Sequence, residues 1–347
     1  RKYVCMSLLL LLCAAPARAA DTTRYFNEDG DPKMSTQSGL LRDSLRLVLS
    51  APALKGDKLL LVMKDFVDSD ASWDTPDGYI LQKVPLKNCK AELLHKEGST
   101  SRKAVLLLHG GAYLLQLNNI YRDMAVTYSE MTADADVFCL DYRLAPEHVF
   151  PAALEDALDA WQWLLARGYK AQDILVAGDS AGGNLTLALA LKLRDQGKDL
   201  PGALVCMSPW TDMIGSGKSH TANVDKDPIF GGNPEYAPPA NGVLPAVRPL
   251  ILAYVGKTDP RNPYLSPVFG SYEKFPPMLI QVGTAEILES DSEIVYQRAM
   301  AAHVDATLTR YYGMFHVFQI LGDALPESAN AWEEVRLFIA KKFLARG

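Results

Sequence analysis

The run Gly178-Asp179-Ser180-Ala181-Gly182-Gly183 constrains this 347-residue chain more than any other. It follows an apolar stretch, Ile174-Leu175-Val176-Ala177, and opens a helix-like one, Leu185-Thr186-Leu187-Ala188-Leu189-Ala190-Leu191. Ser180 is thus set on a turn between a strand and a helix. Gly178 and Gly182 flank it at the G-x-S-x-G spacing, where small residues let the backbone take a strained φ/ψ and push the hydroxyl out at the top of a sheet. Upstream, the apolar strand 104–108 runs into His109-Gly110-Gly111-Ala112, a Gly-rich loop that can turn backbone N–H groups toward an oxyanion.

Around these two turns the pattern alternates strand and helix. Segments 137–140, 174–177, 203–207, 278–282 and 308–311 read as strands, and 152–167, 184–196, 292–304 and 328–344 as helices. Such alternation specifies an α/β fold with a mainly parallel sheet covered on both faces. At 48% hydrophobic, 347 residues suffice for one large α/β domain, 21–347, with a smaller lid and no second independent core. Two segments stand outside the alternation, about 21–73 and 212–260. The first carries a helical pattern (Leu40, Leu41, Leu45, Val48, Leu49), and the second is rich in Gly, Pro and Asn and too long for a simple loop.

A serine on this kind of turn takes its partners in the chain order Ser, acid, His. Downstream of Ser180 lie His220, His303 and His316. His220 falls in a Gly/Ser-rich stretch and His303 on a helix-like run. His316 follows the last strand and the turn residue Gly313, on a strand-end loop where catalytic groups gather. For the acid, the loop after 278–282 offers Glu286, Glu289 and Asp291. Glu286 is nearest the strand end and is the first choice. Glu289 reads as the first turn of the next helix, where carboxylates favour the positive end of the dipole, and Asp291 is the reserve.

From 104 to 320 the chain resembles the hormone-sensitive-lipase-like esterases of the α/β-hydrolase superfamily. The resemblance rests on six ordered motifs: His109-Gly110-Gly111-Ala112-Tyr113, Asp141-Tyr142-Arg143-Leu144-Ala145-Pro146-Glu147, Phe150-Pro151-Ala152, Gly178 to Gly183, Ser208-Pro209-Trp210-Thr211-Asp212 and Phe315-His316-Val317-Phe318. It implies an α/β-hydrolase fold with a helical cap built from the two outlying segments. It also implies Ser180 as nucleophile, Glu286 where the family usually has Asp, and His316 as base. Gly110, Gly111 and the amide of Ala181 fall at its oxyanion hole. Ala112 stands where the family often has a third glycine, and its N–H is retained. Glu in place of Asp requires the backbone to retreat by about a methylene. The expected substrate is a small ester of short to medium acyl chain, hydrolysed through an acyl-enzyme with no metal or organic cofactor. Within this resemblance His109 shapes its loop by hydrogen bonding. Tyr142, Arg143 and Glu147 are expected in a buried network that holds the oxyanion loop, with Asp179 and Asp212 structural.

Residues 1–20 are a separate element. Arg1-Lys2, an apolar run at 8–12 and Ala17-Arg18-Ala19 together read as a secretory signal peptide short of a residue or two, and the expected destination is periplasm or medium. The apolar run is far below the roughly 20 residues of a membrane-spanning helix. Cys13 brings a lipoprotein anchor to mind, but Leu12 before it is a poor fit. Without that segment the formal charge goes from −6 to −9. So acidic a chain is a poor partner for nucleic acid or an anionic membrane. A homodimer is left open. Of the remaining cysteines, Cys139 and Cys206 fall in strands as apolar fillers and Cys89 in a polar loop, and no Cys/His spacing suggests zinc.

Two other classes share parts of this pattern. A trypsin-like protease shares the Gly-Asp-Ser-Ala-Gly-Gly string, but such chains are all-β with His and Asp before Ser. A binding module on this same fold lacks the histidine, whereas His316 is present. Amide hydrolysis on the same residues stays open, since a fold does not set the leaving group.

Overall fold

The computed structural model describes residues 34–51, 54, 57–68, 72–231 and 250–346. The expected signal peptide with Cys13, and 232–249 of the second cap segment, lie outside the described residues.

Eight strands form one sheet: β1 (Tyr79–Pro85), β2 (Lys90–Lys96), β3 (Ala104–Leu108), β4 (Asp136–Asp141), β5 (Ile174–Asp179), β6 (Ala203–Met207), β7 (Met278–Gly283) and β8 (Ala306–Tyr311). Their order is β1-β2-β4-β3-β5-β6-β7-β8. β2 runs antiparallel to both neighbours and all other pairs are parallel. Every residue of β3, β5, β6 and β7 is buried. That is why these strands read as unbroken apolar runs, as strands covered on both faces do.

The covering helices divide by face. Leu106, Val176, Leu204 and Ile280 point to one side, against α4 (Ala152–Ala166), α5 (Ser180–Asp195) and α7 (Glu289–Ala301), with Trp161 fully buried among them; the single turn α6 (Ser219–Ala222) lies in the segment after β6. Val105, Leu175, Val205 and Leu279 point to the other, against α3 (Asn119–Met131) and α8 (Pro326–Lys342). Ahead of the sheet, α1 (Thr36–Leu49) is capped by the Ser35 hydroxyl and buries Leu45 against Tyr311, Met314, Phe315 and Phe318. Ser35 and Ser38 both donate to the Glu327 carboxylate at the start of α8. In α2 (Asp57–Asp68), Asp57 Oδ1 accepts the Leu250 N–H at 2.9 Å, so the two segments expected as the cap are in contact.

Sequence reading and structure differ at instructive places. The hairpin of β1 and β2 was not read as strands. It sits at the sheet edge, where Gln82, Lys83, Lys90 and Glu92 dilute the apolar signal. α5 begins at Ser180, four residues before the reading at 184, because Gly182 and Gly183 are helical here rather than turn residues. α7 begins at Glu289, the residue read as its first turn and three before the strand-and-helix pattern at 292, and ends at Ala301 rather than 304, after which His303 takes φ 58°. Cys139 and Cys206 are buried in β4 and β6, Cys89 is half-buried in the hairpin turn, and all three are free thiols. No helix among the described residues is long and apolar enough to cross a membrane.

Gly182 explains the immediate start of α5. A Cβ there would overlap the Leu108 carbonyl oxygen at the end of β3 and press on that of His109, both backbone atoms that cannot rotate away. Gly182→Ala is therefore expected to cost about 3 kcal/mol or more, read as a lower urea midpoint with an unchanged m value. An unchanged midpoint would contradict this close approach.

Candidate active site

Parallel strands deliver their ends to one edge of the sheet, the usual ligand side of an open α/β fold. Ser180 follows β5 at φ 50°, Ser208 follows β6 at φ 46°, Glu286 lies three residues past β7, and His316 lies five past β8. These left-handed conformations cost of order 1–3 kcal/mol each for residues with a Cβ, and they aim the side chains across the strand ends.

The sequence-derived trio comes together. His316 Nε2 is 2.9 Å from Ser180 Oγ, and Nδ1 is 2.8 Å from Glu286 Oε2. A carboxylate only accepts, so Nδ1 carries the proton and Nε2 is left to accept from the serine hydroxyl. Glu286 is fully buried, whereas Ser180 and His316 keep 7% and 8% exposure. The second carboxylate oxygen of Glu286 accepts from Gly283 N and Ser208 Oγ, both at 2.7 Å. The bond to Gly283, three residues back at the end of β7, folds the carboxylate toward its own strand. Ser208 also receives the Val317 N–H at 3.2 Å and so joins the acid to the histidine loop. Sequence reading quoted Ser208 only within a motif. Its place directly after a buried strand, like that of Ser180, was the available signal.

Asp291, the reserve acid, is committed elsewhere. Its Oδ1 is 2.7 Å from His220 Nε2, and its Oδ2 accepts the N–H groups of Thr211 and Asp212 at 2.8 Å each. Asp212 in turn receives the amides of Ile214, Gly215 and Ser216. His303 lies beyond the end of α7, away from the trio.

The loop after β3 requires a correction. Gly110, expected as an oxyanion donor, already gives its N–H to Tyr121 Oη at 2.8 Å and Asp179 Oδ1 at 3.1 Å. It is a glycine because a Cβ would overlap the Asp179 carboxylate. The next residues, Gly111, Ala112 and Tyr113, take φ of 99°, 56° and 60°. Among the described residues, no acceptor meets the amides of Gly111, Ala112 or Ala181 in the first turn of α5. These three amides, not Gly110, are the ones available to an anion.

Behind them, His109 Nδ1 donates to Gly110 O at 2.8 Å, and its ring stacks on Tyr142 at 4.0 Å. Tyr142 Oη donates to His109 O at 2.6 Å. Burial holds the His109 imidazole down to about 4, only partly offset by the bond to Gly110, so the ring is neutral. Of the expected network, Tyr142 is present. Arg143 instead pairs with Asp156 on α4, and Glu147 is exposed. Asp179 takes the bracing role, with Oδ2 accepting from Tyr121 Oη at 3.1 Å. Burial pushes its carboxyl up to about 6 against the pull of His316 and these donors.

Electrostatics favour a proton-accepting His316. Burial alone would lower its pKa, but the hydrogen bond and charge of Glu286, with Asp227 and Asp179 behind, outweigh burial and raise it above that of a free imidazole. Among the described residues, no group of three or more His, Cys, Asp or Glu could hold a metal ion.

The sequence pattern of the α/β hydrolase fold family matches residues 105–320. An acetyl-hydrolase of Streptomyces hygroscopicus is 36% identical over 256 residues, covering 74% of this chain and 81% of its own. An esterase of Acinetobacter venetianus is 31% identical, over 74% and 81%. Among solved structures, an esterase from the bacterial hormone-sensitive lipase family aligns over 90% of this chain and 99% of its own, at 33% identity and a TM-score of 0.73. The chain belongs to the α/β-hydrolase family, in the branch of the hormone-sensitive-lipase-like esterases.

Glu286→Gln removes a charge and leaves burial opposed only by Asp227 and Asp179. The His316 pKa is therefore expected to fall, which an NMR titration of its ring protons would register. A pKa that stays put or rises would contradict the assigned pairing.

Proposed function

We propose that this chain hydrolyses esters of short to medium acyl chain through an acyl-enzyme on Ser180, with His316 as base and Glu286 as its orienting acid. Its family makes it a carboxylic ester hydrolase. The observation that carries the residue roles is the chain of contacts at 2.9 and 2.8 Å from Ser180 through His316 to Glu286, beside three unused amides.

His316 Nε2 takes the hydroxyl proton as Oγ attacks the ester carbonyl, and then gives it to the leaving alcohol. Glu286 fixes the tautomer and stabilises the imidazolium. The amides of Gly111, Ala112 and Ala181 receive the oxyanion, each such donor being worth on the order of 3 kcal/mol in the transition state. Water, activated by His316, then releases the acyl group. The second cap segment contributes Phe230, whose ring meets the His316 imidazole edge-on at 4.9 Å. With the Asp57–Leu250 contact, this supports a cap of the two outlying segments that limits water access. Export follows from reading residues 1–20 as a signal peptide.

The test is turnover of p-nitrophenyl esters from acetate to palmitate. The expected result is activity highest on short chains and absent in Ser180→Ala. A folded protein without turnover on any ester would overturn the proposal and favour an amide substrate or a binding role.

The acid limb follows from the raised His316 pKa. The working form is the neutral imidazole, so kcat/KM is retained at high pH and lost as pH falls through a midpoint above the ordinary ~6.5 of histidine. Glu286→Gln is expected to move that midpoint down and to lower kcat by about 10³- to 10⁴-fold. An acid limb unchanged by this substitution would remove Glu286 from its role.

A further inference from the structure

Segment 211–231 supplies none of the three reacting groups, yet buried side chains bind it to the Glu286 loop. Ser219, Asn223 and Asp227 recur at every fourth residue, and each turns to that loop. Ser219 Oγ donates to Ile287 O. Asn223 Nδ2 donates to the carbonyl of Glu286 at 2.8 Å and to Glu289 Oε2 at 2.9 Å. Asp227 Oδ2 accepts the Ile287 N–H at 2.9 Å, while its Oδ1 accepts those of Ile229 and Phe230 at 2.8 and 3.0 Å. One buried carboxylate thus holds both the loop of the acid and the backbone that presents Phe230.

The position of that ring has a chemical meaning. A reacting ester carbon carries four groups: Ser180 Oγ, the oxyanion, the leaving oxygen and the acyl chain. The oxyanion faces the amides of Gly111, Ala112 and Ala181. The leaving oxygen must lie at His316 Nε2, because that nitrogen protonates it. The alcohol portion therefore runs beside the imidazole, and the tetrahedral geometry sends the acyl chain in the remaining direction. The Phe230 ring packs on that imidazole at 4.9 Å and 63°, which puts it nearer the path of the alcohol than that of the acyl chain.

We propose that Phe230 sets the size limit of the alcohol moiety, admitting esters of small primary alcohols and of flat phenols and excluding those of branched or saturated cyclic alcohols. This rests on the carboxylesterase reading above. The side chain is apolar and cannot take part in proton transfer, so it acts by volume. Its backbone is pinned at two consecutive amides by Asp227, so the wall keeps its place when a large alcohol presses on it.

The experiment uses two substrate series on the unmodified chain, Phe230→Ala and Phe230→Leu. One series varies the alcohol at fixed acetyl (ethyl, isopropyl and cyclohexyl acetate), and the other varies the acyl chain at fixed p-nitrophenol. In Phe230→Ala the ratio of kcat/KM for cyclohexyl to ethyl acetate is expected to rise by about tenfold or more. The shape of the acyl profile should be unchanged, and Phe230→Leu should fall between. Should the alanine variant fail to fold, the leucine variant gives the same comparison in smaller steps. A shifted acyl profile with a constant alcohol ratio, or a uniform change across both series, overturns the proposal. Absence of any Ser180-dependent ester turnover in the unmodified chain is a different failure, that of the carboxylesterase reading itself.

Discussion

The site depends on one close approach, that of the first turn of α5 to the end of β3. With no Cβ at Gly182, the helix backbone comes down onto the carbonyls of Leu108 and His109. That places Ser180 directly after its strand and beside the loop that leaves β3. The same contact brings Asp179, the residue before the serine, within reach of the Gly110 amide. Nucleophile and oxyanion loop are thereby fixed relative to each other by adjacent atoms of one turn, with no long lever of packing between them.

Three of the buried carboxylates near the site have separate duties. Asp179 braces the loop through Tyr121 and Gly110, Glu286 orients His316, and Asp291 with His220 anchors the segment after β6. Each carboxylate is surrounded by donors, as burial of a charge demands. Because the three share little, the loop, the acid and the cap segment are each held by their own bonds. Ser208 and Asp227 are exceptions, the first touching both Glu286 and the histidine loop and the second joining the loop of the acid to the cap segment.

Much of this was legible in the sequence, for physical reasons. Central parallel strands are buried on both faces and so announce themselves as apolar runs, and a residue that follows such a run can be placed at the sheet edge without any structure. Ser180 and Glu286 each follow one, whereas His316 follows the edge strand β8, half-exposed and less apolar. The choice between Glu286 and Asp291 was settled only in three dimensions, since what separates them is the His220 partner 71 residues away. Gly110 was misjudged for a related reason. A motif shows which amides a loop contains but not which ones another side chain has taken, and Tyr121 lies on a helix that the sequence reading passed over. The edge hairpin escaped because half-exposed strands mix charge with apolar residues.

α1, close to the beginning of the chain, packs on the segment that bears His316 and binds the first turn of the last long helix through Ser35, Ser38 and Glu327, contacts that span about 290 residues. On a ribosome that works from one end, a helix made before the sheet finds its place only after it. β3, β5 and the turn between nucleophile and oxyanion loop can assemble while the chain is still growing. The base arrives only 136 residues after the serine. A nascent chain therefore holds a serine with no histidine beside it until β8 and the loop after it have been made, and α1 waits with Leu45 uncovered for the same event.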